Sequence, residues 1–183
     1  MPYAIEFYLD NNSSKKISKV IKELELNNVN IEGGTHPHIT VAIYNTLPIS
    51  SMINELLEFI SSISLLNITF SSFGVFPGEK THVIFLAPVV TREMIETHEK
   101  FYEKFKHYED MSWDMYKPGK WVPHCTLGFD VNDKMLHQSM DIIKKIQFPF
   151  ECIIDKFGII KFNPNEKVFE STLETQRDSS RGL

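Results

Sequence analysis

Two segments of the chain are close copies of one another. Pro37-His38-Ile39-Thr40-Val41-Ala42-Ile43 and Pro123-His124-Cys125-Thr126-Leu127-Gly128-Phe129 both read Pro-His-x-Thr, then an aliphatic, a small and an apolar residue. At ordinary residue frequencies a second Pro-His-x-Thr arises by chance in roughly 1% of chains this long. The copies stand 86 residues apart in a chain of 183, and each is followed by a short loop, a helical pattern and further strands. Self-similarity of this kind marks a duplicated βα unit. It predicts an α+β fold with two pseudo-two-fold-related lobes of antiparallel sheet, helices packed outside, and an active groove between the lobes.

The spacing inside each copy has a direct geometric meaning. Residues i and i+2 of a strand point to the same face. His38 and Thr40 therefore share one face, as do His124 and Thr126. Ile39, Val41 and Ile43 point the other way, with Cys125, Leu127 and Phe129 as their counterparts. Those apolar residues belong against helices, so each polar pair sits on a strand whose back is packed into the core. Such a mount holds reactive groups more rigidly than a loop does. Two lobes brought together set two imidazoles and two hydroxyls facing each other.

The rest of the chain reads as alternating strands and helices. Strands are expected at Tyr3 to Leu9, Pro37 to Tyr44, Leu66 to Val75, His82 to Leu86, His124 to Phe129, Phe150 to Asp155, Gly158 to Phe162 and Val168 to Leu173. Helices are expected from an N-cap within Asn11 to Ser14 as far as Leu26, from Pro48 through Ile60, from Thr91 through Phe105, and over Asp133 to Gln147. Residues 109–121 read as a polar loop. No linker divides the sequence, so residues 1–174 are expected to form one domain and 175–183 a flexible tail.

Composition limits the partners. The formal net charge is −5, which does not suit an extended nucleic-acid surface held by many phosphate contacts. A small phosphorylated ligand or one RNA terminus remains compatible. The longest apolar run, Val83 to Val90, falls far short of the ~20 residues of a membrane span. The opening Met1-Pro2-Tyr3-Ala4-Ile5-Glu6 lacks the basic head and apolar middle of a signal peptide. Cys125 and Cys152, without CxxC spacing, read as reduced thiols of a cytoplasmic protein, expected to be monomeric.

At the paired motifs the sequence resembles the two-histidine (2H) phosphoesterase superfamily, in its bacterial 2′-5′ RNA ligase-like and cyclic phosphodiesterase branch. That family is defined by two His-x-Thr/Ser-x motifs, matched here by His38-Ile39-Thr40-Val41 and His124-Cys125-Thr126-Leu127. Trp121-Val122-Pro123-His124-Cys125-Thr126-Leu127-Gly128 is similar to its second motif, and Phe73-Gly74-Val75-Phe76-Pro77 to its mid-chain hairpin. The resemblance covers Tyr3 to about Leu173. It implies a bilobal fold, a site that uses neither metal nor cofactor, and action on 2′,3′-cyclic or 2′-5′ phosphodiesters of nucleotides or RNA ends. By analogy with the family, His38 is the proton donor and His124 the acceptor. Nothing in the sequence itself fixes that direction.

The chemistry agrees with the implication. Opening a cyclic phosphodiester needs a base for water and an acid for the departing ribose oxygen. Histidine, with an ordinary pKa of ~6.5, serves in either role. Thr40 and Thr126 are candidate phosphate-binding donors. Weaker candidates for substrate contact are Tyr44, on the parity of His38; Phe76, as a base-stacking ring; and Lys117 and Lys120, in the loop feeding the second motif. Each has an ordinary structural alternative. His36 reaches at most the groove mouth, and Trp121 reads as a loop anchor. A zinc set drawn from His36, His38, His124 and Cys125 is a rival, weakened because His124 and Cys125 have opposite parity on a strand. A non-catalytic binder of nucleotides or RNA ends using the same groove is the other.

Overall fold

The structure is a computed structural model describing residues 1–30, 36–162 and 164–173. The expected tail lies outside the described residues. In chain order the elements are β1 (Tyr3–Leu9), α1 (Asn11–Leu26), β2 (His38–Tyr44), α2 (Ile49–Ser62), β3 (Leu66–Phe76), β4 (His82–Pro88), α3 (Arg92–Lys104), two 3-10 turns (Lys106–Met111 and Asp114–Tyr116), β5 (Cys125–Val131), α4 (Asp133–Ile143), β6 (Phe150–Lys161) and β7 (Glu166–Thr172). Helix starts follow side-chain chemistry. Asp10 accepts from Asn12 N and Ser13 N, Thr91 from Met94 N, and Asn132 from Met135 N. Each satisfies backbone donors that a first helical turn leaves free.

All seven strands join one antiparallel sheet in the order β2-β1-β6-β3-β4-β5, with β7 added along β6. The order falls into two triplets, β2-β1-β6 and β5-β4-β3, with a motif strand at the outer edge of each. The strand expected as two pieces, Phe150 to Asp155 and Gly158 to Phe162, is the continuous β6. Its first half pairs with β3 and its second half with β1 and β7, so one strand belongs to both lobes. One face of the sheet packs on the helices. Ile17 and Leu24 of α1, Met52 and Leu56 of α2, Met94 and Phe101 of α3, and Ile142 and Ile143 of α4 share a core with Ile5, Phe7, Ile39, Leu127 and Phe157.

Both motif strands are irregular at the same place. Glu6 is opposite Thr40 but Ile5 is opposite Ala42, so Val41 is an extra residue. Phe85 is opposite Thr126 but Ile84 is opposite Gly128, so Leu127 is extra. The aliphatic residue after each threonine is thus the inserted residue of a β-bulge, fully buried in both lobes. A bulge reverses strand parity beyond it. Ile43 consequently turns to the side of Ala4 and Ile160 instead of the main core, and Tyr44 turns inward.

Among the described residues no named strand other than β1 pairs with β2, and the chain from the third helix to the second motif covers its outer edge, with an isolated bridge between Tyr44 and Ser112. Trp121 Nε1 donates to Thr40 O at 2.9 Å, His98 Nε2 to Val41 O at 3.2 Å, and Trp113 N to Ile43 O at 2.7 Å. The His98 ring stacks on Trp121 with centroids 4.0 Å apart and planes within 2°. Burial of His98 holds its pKa down to about 4, so it serves as a neutral donor.

That burial has a consequence for stability. Between pH ~6.5 and the folded-state value of about 4 the unfolded chain binds a proton at His98 that the folded chain refuses, so stability rises with pH across this window and falls on acidification. Urea melts at pH 7 and pH 4 are expected to show wild type losing ~2–3 kcal/mol more than His98→Gln, which does not titrate. Equal losses in the two proteins would refute this account of His98.

Candidate active site

The two motifs meet although their strands are the two ends of the six-strand order. Strand β2 lies against β5 in space. Cys125, odd in parity to His124, points away from its neighbour's face and is fully buried, which pushes the thiol up to about 12. The two motifs are thereby brought together, and a charge on His38 acts on His124.

Each imidazole is fixed the same way. His38 Nδ1 donates to His36 O at 2.7 Å, and His124 Nδ1 donates to Val122 O at 2.7 Å. A carbonyl only accepts, so both rings carry a proton on Nδ1. That assigns the variable site to Nε2, where a neutral ring accepts a proton and a charged ring gives one.

The surroundings of Nε2 differ. On the first lobe Glu6 Oε1 lies 3.3 Å from His38 Nε2, and the charge of the carboxylate acts on the nearby Tyr8 hydroxyl. Burial, then the charge of Glu6, raises the Tyr8 pKa, so the hydroxyl stays a donor. The Tyr8 ring stands edge-on to His38 and His36, over Gly158, where a Cβ would come within 2.1 Å of it. On the second lobe the His124 ring meets the edges of Phe76 and Phe85, at 4.9 and 5.4 Å. Phe85 lies over Gly74, where a Cβ would come within 2.4 Å of the ring. Burial first, and His38 as a further cause, lower the His124 pKa from its ordinary value.

The other expected contacts divide. Phe76 stands beside His124 with its ring stacked on Phe85 at 4.2 Å. Thr40 and Thr126 stay half-buried on the histidine face, across from Glu6 and Phe85. Tyr44 is a correction. The bulge after Thr40 rotates it into the core, where it is 1% exposed, and it has no surface to offer a ligand. Lys117 and Lys120 pair with Asp114, and Lys117 also with Glu109, within their own loop. Glu6, Tyr8 and Phe85 were not singled out by sequence reasoning. A glutamate in the middle of the otherwise apolar Ala4-Ile5-Glu6-Phe7 was the available signal. Among the described residues no three His, Cys, Asp or Glu side chains gather as a metal site requires, and no helix is long and apolar enough to cross a membrane.

Known proteins share this architecture. The family model for the 2′-5′ RNA ligase superfamily matches residues 14–166. No curated protein matches the sequence significantly. The crystal structure of TT0787 of Thermus thermophilus superimposes with a TM-score of 0.64 at 13% identity, covering 97% of this chain and 100% of that one. E. coli LigT complexed with 3′-AMP gives 0.57 at 12% identity, covering 95% and 98%. Usb1 of Kluyveromyces marxianus gives 0.50 at 10% identity, covering 94% and 97%. At these identities the likeness is one of fold.

The lowered His124 pKa is open to measurement. In 15N-labelled protein at pH 7, His124 is expected to show a neutral ring protonated at Nδ1 and to take its second proton only below pH ~6.5. A His124 that is charged at pH 7 would contradict this geometry.

Proposed function

The chain belongs to the 2′-5′ RNA ligase superfamily, and from that premise we propose that it is a metal-independent cyclic phosphodiesterase. Its substrate class is the 2′,3′-cyclic phosphate, or the related 2′-5′ diester, of a nucleotide or RNA end. One observation carries the reading: two imidazoles on pseudo-equivalent strands, each anchored through Nδ1, with unlike surroundings at Nε2. A pair of that kind supplies one base and one acid. The nucleotide class is further supported by LigT, whose solved structure is a complex with 3′-AMP.

In the hydrolytic direction His124 Nε2 takes a proton from water, and the water oxygen bonds to phosphorus. One P–O bond to the ribose breaks as His38 Nε2–H passes its proton to the departing oxygen. The products are a phosphomonoester and a free hydroxyl. Thr40 and Thr126 donate to the non-bridging oxygens as charge grows on them. Exchange with solvent then restores the starting protonation. The burial that keeps His124 neutral favours it as base, and the carboxylate beside His38 favours that ring as the proton carrier.

Single-turnover hydrolysis of a nucleoside 2′,3′-cyclic phosphate tests the proposal. His38→Ala and His124→Ala are each expected to lose ~10²–10⁴-fold in rate. The double variant is expected to be little worse than the slower single one, because the two act in the same step. The pH–rate profile is expected to be bell-shaped, and activity to survive a chelator. A folded His→Ala protein with near-wild-type turnover overturns the mechanism. Loss of activity with chelator, restored by a divalent ion, replaces it with a metal mechanism. Nucleotide binding without turnover replaces it with a binding protein.

A further inference from the structure

The pseudo-two-fold relation between the lobes breaks at one informative position. Register places Glu6 across from Thr40 on one side and Gly158 on the other. It places Phe85 across from Thr126 on one side and Gly74 on the other. The same site in the two lobes thus holds a carboxylate beside His38 and a phenyl ring beside His124. Glu6 is 1% exposed. A buried carboxylate is costly to keep, and it repels an anionic diester unless a cation or hydrogen-bond donors balance it. Here His38 Nε2 addresses it from 3.3 Å, with the Tyr8 hydroxyl nearby.

The proton count separates the two rings. The His36 carbonyl requires a proton on His38 Nδ1. With Nε2 3.3 Å from a buried carboxylate oxygen, a second ring proton makes the contact a charge-assisted hydrogen bond. His124 has the same Nδ1 anchor, stands beside the Phe76 and Phe85 rings, and makes no ion pair with an acidic side chain among the described residues. The other titratable groups facing His38 do not compete. Lys156 of β6, across from Tyr8, is paired with Glu170 of β7 at 3.5 Å. The Cys125 thiol of β5 stays protonated, and His124 is disfavoured as a second cation.

Resting on the two-histidine reading above, we propose that Glu6 is the positioning residue that keeps His38 protonated, so that the fold itself decides which histidine is the acid. Glu6 neither gains nor loses a proton over the cycle. It balances the imidazolium before the ribose oxygen takes the proton, and the neutral ring is recharged from solvent beside it. Tyr8, seated over Gly158, holds the carboxylate in place.

The test combines 15N-histidine spectra of the full-length protein with the pH dependence of kcat/KM on a nucleoside 2′,3′-cyclic phosphate, for wild type, Glu6→Gln and Glu6→Asp. Wild type is expected to show His38 as an imidazolium at pH 7, and Glu6→Gln to show it neutral. In Glu6→Gln the alkaline limb of the bell is expected to move down by about one pH unit, with the acid limb unmoved. That amounts to a ~10-fold loss at alkaline pH and little loss near the acid limb. Glu6→Asp is expected to restore the limb in part. A Glu6→Gln protein that is slower at every pH, with both limbs and the His38 spectrum unchanged, overturns the proposal and leaves Glu6 a structural role. If Glu6→Gln does not fold, a neutral His38 in the wild-type spectrum at pH 7 overturns it, and a charged one supports it. A wild-type protein that cleaves no diester sinks the proposed function, while the spectra still decide the role of Glu6.

Discussion

The approach of β2 to β5 joins strands that the sheet order sets farthest apart. Everything the site does depends on that closure. Without it each lobe is a three-stranded triplet with a polar His-Thr pair on an open edge, and neither imidazole has a partner. Closure requires that β2 and β5 stay unpaired by other strands, yet exposed edges invite association with other chains. The protein meets both demands with the segment from His98 to Trp121. That segment satisfies the β2 carbonyls with an indole, an imidazole and a backbone N–H and adds no strand beside β2. The loop before the second motif is therefore part of the first motif's support. This explains how Trp121, three residues ahead of His124, comes to hold Thr40 of the other lobe.

The repeated motif has a structural reading that goes beyond which residues carry chemistry. Its aliphatic fourth position is the inserted residue of a bulge in both lobes. The bulge lets His and Thr face the site while the residues after them return to the core in the opposite phase. Sequence reasoning found the strands, the helix starts and the His/Thr faces because these are local properties of period and capping. It misjudged Tyr44 because strict alternation was carried through a bulge that no residue type announces. It divided β6 in two at Lys156-Phe157, where the polar residue and Gly158 suggested a break. In the structure Gly158 marks the place where the Tyr8 ring lies on the strand. Glu6, Tyr8 and Phe85 gain their meaning only from strand pairing, which a single sequence does not print. Lys117 and Lys120 looked available because nothing in their spacing revealed that Asp114 and Glu109 fold back onto them.

The duplication supplies two equivalent histidines, but the chemistry needs inequivalent ones. Two neighbouring cations repel one another, and the lowering of the His124 pKa by His38 disfavours double protonation. Repulsion alone, however, leaves open which ring yields. The lobes differ on the strand next to each motif. On β1 a buried carboxylate offers a counter-charge to His38, while on β4 an aromatic ring removes water from His124 and offers none. Both substitutions act at the same register position, above a glycine that makes room for a ring. The two lobes of a symmetric scaffold thus part at one residue pair, Glu6 against Phe85, lying one strand inward from the residues that the motif identifies.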